Sequence, residues 1–92
     1  MSDNNALEHI KQHREAIDSL DKQIIALLNK RAAESLAIRA LKPDAQMGLY
    51  DPKREEEIFE HLTSADVNTG PMYAEDVRAI YATVLKVMKE LR

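Results

Sequence analysis

Apolar residues recur along the first 41 positions with a helical period. Ile10, Ile17, Ile24 and Ile38 fall on one seam position, and Leu20, Leu27 and Leu41 on the other, seven residues apart or a multiple of it. No proline or glycine interrupts the span from about Leu7 to Leu41, so one long helix is expected there. KPDAQMGLYDP then breaks the pattern, with Pro43, Gly48 and Pro52 as punctuation. A second helix is expected with Asp51 as N-cap and Pro52 at its first position, followed by carboxylates that suit a helix N-terminus. It should run through Ile58, Phe59 and Leu62 to about Ala65. After DVNTGPM, a third helix from about Tyr73 to the C-terminus would turn Val77, Ile80, Tyr81, Val84, Leu85 and Met88 toward a core. The reading is all-α, a single domain over 1–92 with one long and two short helices.

The length of the first helix changes the picture. About 35 residues make a rod of roughly 50 Å, against the ~26 Å diameter of a compact chain of this size. Two short helices cannot cover its apolar seam. A homodimer with intertwined long helices is therefore expected, the two chains sharing their cores. A 92-residue chain buries only a thin core by itself, which points the same way.

Composition adds exclusions. With 13 Lys and Arg against 16 Asp and Glu, the net charge of −3 gives no general attraction to nucleic acid or to an acidic membrane. The absence of cysteine excludes disulfides and thiolate metal sites. No apolar signal-peptide core stands at the N-terminus, so a cytoplasmic protein is expected. Two glycines leave no phosphate loop or dinucleotide fingerprint, and His9, His13 and His61 have no metal-ligand spacing.

Candidate chemistry lies where polar residues interrupt the seam. Arg31 takes the position of Ile24 and Ile38, and Glu34 that of Leu27 and Leu41. The two are three apart and could simply pair, setting the register of the seam. Lys42, however, lies 11 residues beyond Arg31, a rotation of about 20° over about 16 Å, so both cations could reach one anion. Arg14 stands about 25 Å along the rod from Arg31 and is turned by roughly 100°; within one chain it cannot share that pocket, across a dimer it could, and by spacing alone an exposed arginine near Glu15 and Asp18 is the plainer reading. In the second helix Asp51 reads as a cap, and Glu56 and Glu57 as first-turn carboxylates. Arg54 opposes the helix dipole and so calls for a nearby anion. No nucleophile constellation is present. Converging cations in a helical core suit a small dianion and a reaction that needs no covalent catalyst.

HREAIDSLDKQIIALLNKRAAESLAIRALK followed by YDPKREEEIFEHL resembles the all-helical class of chorismate mutase, whose pattern is an arginine, then IDxLDxxIxxLLxxR, a lysine, a short loop and DPxRE. The resemblance implies an intertwined homodimer with two sites, each borrowing one arginine from the other chain, and the Claisen rearrangement of chorismate to prephenate in aromatic amino acid biosynthesis. It implies no metal and no cofactor. It assigns carboxylate binding to Arg31 and to Arg14 of the partner chain, and gives Lys42 a bridge between a carboxylate and the ether oxygen. Arg54 would add positive field, and Glu55 with the Asp51 region would receive the ring hydroxyl. The third helix departs from the pattern. Where the family has a glutamine or glutamate donating to the ether oxygen, and a small residue one turn earlier, this chain has Arg92 and Met88. Arg92 would be either a permanently charged donor or a frayed terminal cation, and Met88 would narrow the pocket. An isochorismate-pyruvate lyase on the same scaffold and a non-catalytic dimeric helical regulatory module are the alternative functions.

Overall fold

The computed structural model describes residues 2–48 and 51–92, with the side chains of Ser2 and Asp3 left aside. Leu49 and Tyr50, in the expected connection before the second helix, lie outside the described residues. Three helices and no strands occur among the described residues: α1 (Ser2–Leu41), α2 (Pro52–Leu62) and α3 (Ala74–Lys89). The all-α reading holds, and each boundary that moved has a local cause.

α1 begins five residues earlier than the apolar pattern announces, because DNNA carries no seam residue yet nothing in it breaks a helix. α2 starts as expected. Asp51 Oδ1 accepts from the Arg54 backbone N–H at 3.0 Å, and Pro52 fills the first turn. It stops at Leu62 rather than Ala65, since Thr63 Oγ1 donates to Phe59 O at 2.8 Å and Ser64 Oγ to His61 O at 2.7 Å, occupying the last carbonyls. At the start of α3 the Asp76 carboxylate accepts from the Tyr73 backbone N–H at 2.8 Å.

The chain divides into two compact units, one up to Glu34 and one from Ser35 to Arg92. The first consists of the N-terminal part of α1, whose seam residues Ile10, Ile17, Leu20, Ile24 and Leu27 are between 47% and 62% exposed. The second holds the end of α1 together with α2 and α3. Its buried residues are Val77, Leu85 and Met88, all on α3, with Ile58, Phe59, Leu62, Tyr81 and Val84 half-buried. Ile80, expected in the core, is 52% exposed, because an 11-residue α2 covers only one stripe of α3. Arg78 ties these two helices, lying 5.1 Å over the Phe59 ring and 3.5 Å from Glu56. Glu56 is thereby accounted for as a packing partner.

The connection after α1 turns on a residue that sequence patterning passes over. Gln46 has φ 57°, in the left-handed region, while neither glycine has a positive φ. Its N–H donates to Pro43 O at 3.1 Å, and the next N–H, of Met47, returns to Lys42 O at 2.9 Å, closing the end of the helix. We expect Gln46→Gly to leave stability unchanged or raise it by up to about 1 kcal/mol, and Gln46→Val, whose branched Cβ is ill suited to that region, to lower it by about 1 kcal/mol or more. Urea unfolding of the two variants against the parent measures the difference.

Candidate active site

Half-buried positions recur at helical spacing at Leu28, Arg31, Ala32, Ser35 and Arg39 of α1 and at Lys42 just past its end. In the chain itself Arg31 therefore sits on this shaded stripe, while the seam residues on either side of it, Ile24, Leu27, Ile38 and Leu41, stay more than half exposed. Neither Arg31 nor Lys42 is without an interaction partner. The Lys42 N–H donates to Ile38 O at 3.0 Å, so this residue keeps the register of the helix it follows. Arg14, in the first unit with Arg31, is exposed.

Within the second unit, the N-terminus of α2 and the C-terminus of α3 carry the remaining candidates. Asp51 is half-buried, with Oδ1 engaged as the cap. Arg54 is exposed. Glu55 is more sheltered, its side chain 24% exposed, and its Oε2 lies 3.1 Å from Lys89 Nζ. Met88 is part of the buried core. Arg92 is exposed, three residues past the end of α3.

Two cations that sequence reasoning passed over organise this end of the unit. Arg39, on the half-buried stripe of α1, donates from Nη1 to Leu91 O at 2.7 Å and from Nη2 to Met88 O at 2.9 Å and Lys89 O at 3.4 Å. A planar guanidinium suits three carbonyls at the negative end of a helix. Lys89 reaches Glu55 across the α2–α3 contact. The 11-residue interval that singles out Arg31 and Lys42 passes over Arg39. What marks Arg39 is its place four residues after Ser35 and three before Lys42, a signal that can be read only once the shaded face of α1 is known.

In the second unit the sheltered carboxylate of Glu55 lies beside the paired Lys89, while Arg54 and Arg92 are exposed. A protein-family model for chorismate mutase type II matches residues 13–92, a range within which the candidate residues from Arg14 to Arg92 fall. The chain belongs to the chorismate mutase type II family. Two solved structures of a chorismate mutase from Thermus thermophilus share its fold at 31% sequence identity. Form I superimposes with a TM-score of 0.80 over 87% of this chain and 98% of that one, and form II with 0.84 over 90% and 92%. Among curated proteins, the bifunctional chorismate mutase/prephenate dehydratase of Aquifex aeolicus is 32% identical over 92% of this chain, and that of Neisseria gonorrhoeae 37% identical over 79%. This chorismate mutase family member spans about a quarter or less of the length of those two relatives, 24% and 19%. No helix among the described residues is long and apolar enough to cross a membrane.

Proposed function

We propose that the chain, acting as one domain over its 92 residues, is a cytoplasmic chorismate mutase that converts chorismate to prephenate. The observation that carries this reading is the family match over residues 13–92. The reaction is intramolecular. One C–O bond breaks as one C–C bond forms, and the protein supplies neither a nucleophile nor a proton. Its task is to hold the compact diaxial conformer and to stabilise negative charge on the departing ether oxygen.

Cations perform both parts. Arg31, with Arg14 of the partner chain, clamps the two carboxylates through paired hydrogen bonds. Lys42 bridges a carboxylate and the ether oxygen, and Arg54 adds positive field. Glu55, beside the Asp51 cap, accepts the ring hydroxyl. Arg92, where it reaches the ether oxygen, donates to it as a permanent positive charge in place of a neutral or titratable donor, and Met88 narrows the pocket. The homodimer is part of the proposal. It is supported by the exposed apolar seam of α1 and by the position of Arg14, 17 residues from Arg31 along one helix.

Incubation with chorismate, with the product identified as prephenate, tests the activity, and a parallel incubation with isochorismate tests the lyase alternative. Arg31→Ala should lower kcat/KM at least about a hundredfold, roughly 3 kcal/mol of transition-state stabilisation, while the unliganded protein keeps its stability or gains some. Loss of stability with normal turnover in the folded fraction would make Arg31 a structural ion-pair partner instead.

Chain exchange tests the shared site. Arg14→Ala and Arg31→Ala chains, each nearly inactive alone, should recover about a quarter of parental activity when unfolded together and refolded: half the dimers are then mixed, and each mixed dimer has one intact site of two. No recovery, with exchange verified by mass spectrometry, would contradict a site built from two chains.

A further inference from the structure

α3 ends at Lys89, and the last carbonyls of a helix have no partner inside it. Here they are met from α1. Arg39 holds Leu91 O at 2.7 Å, Met88 O at 2.9 Å and Lys89 O at 3.4 Å with a single half-buried guanidinium. The Lys89 side chain in turn meets Glu55 Oε2 at 3.1 Å in the first turn of α2. The end of α1, the end of α3 and the start of α2 are thus joined through two cations, and the chain of contacts finishes on a carboxylate of the proposed site.

We infer that Arg39 and Lys89 are positioning residues for Glu55, Lys89 holding its carboxylate and Arg39 fixing the backbone from which Lys89 reaches. The inference rests on the proposed chorismate reading. Pairing through Oε2 restricts the rotamers open to the Glu55 carboxylate, with Oε1 the oxygen to accept a hydroxyl hydrogen. A lysine alone would hold it poorly. The Lys89 side chain is 49% exposed, and an exposed pair of this kind contributes only about 0–1 kcal/mol while costing side-chain entropy. Lys89 is also the last residue of its helix, where fraying would carry the ammonium away. Arg39 suppresses that fraying, since its rigid fork binds carbonyls on both sides of the helix end. Orientation is thereby set before substrate arrives, so the ordering cost is not taken from binding.

Steady-state kinetics with chorismate distinguish this from a role in stability alone. Because a hydroxyl contact made in both ground and transition states acts on binding, Lys89→Met and Arg39→Met should each raise KM about five- to tenfold with kcat within about threefold. Lys89→Arg should restore KM to within about twofold of the parent. In a Glu55→Gln background, where the carboxylate is gone, Lys89→Met should change KM by less than about twofold. An unchanged KM in Lys89→Met, or an equal rise with and without Glu55, would overturn the inference, and a variant that loses only thermal stability would do the same. Lys89→Met replaces a half-exposed side chain and decides the matter even where Arg39→Met does not fold. A parent protein that turns over no chorismate would overturn the functional reading itself, and this inference with it.

Discussion

The seam of isoleucines and leucines along α1 is the constraint on which the rest of the molecule depends. Its residues remain about half exposed in the single chain, including Ile38 and Leu41 in the unit that carries α2 and α3. Covering the exposed half of each such side chain is worth about 1 kcal/mol, so the seam as a whole represents several kcal/mol that one chain leaves unused. In the proposed homodimer a second copy would supply an identical apolar face and close the association at two chains. In the proposed dimer the same association delivers Arg14 to the other chain's site, so that catalysis and assembly draw on one surface.

Where the apolar rule is suspended, the chain carries charge. Arg31 and Arg39 of α1, and Lys42 just past its end, take half-buried positions that an ordinary helix would fill with aliphatic residues. Desolvated cations cost stability unless they are well paired, and such costs gather where a protein binds something. In the proposed enzyme the three divide the work. Arg31 and Lys42 meet the substrate's negative charge, whereas Arg39 spends its donors on the carbonyls that end α3. Rearrangement of chorismate needs little else, for a rigid cationic pocket both selects the reactive conformer and meets the charge that develops on oxygen.

Much of this was legible in the sequence because it is local. The period of the isoleucines and leucines announced α1, and Asp51 with Pro52 announced the start of α2 to the residue. The DPxRE run also placed Asp51, Arg54 and Glu55 correctly on one helix turn. What escaped was either conformational or long-range. Gln46 carries no mark of its left-handed backbone, and the glycine two residues later drew attention instead. Arg39 acts on carbonyls 49 to 52 residues away, and no spacing within α1 reveals a partner in α3. The Lys89–Glu55 pair is hidden for the same reason. Ile80 reads as core because it is apolar and in phase, yet its exposure depends on which stripe of α3 the short α2 covers, a tertiary matter.

Whether a second copy covers the seam of α1 is tested most directly by unfolding the purified protein over a wide range of concentration while its mass is followed by sedimentation. A particle of twice the 10.5 kDa chain mass is expected, with an unfolding midpoint that rises with protein concentration, as mass action requires of a dimer. A folded 10.5 kDa particle with a midpoint independent of concentration would contradict it.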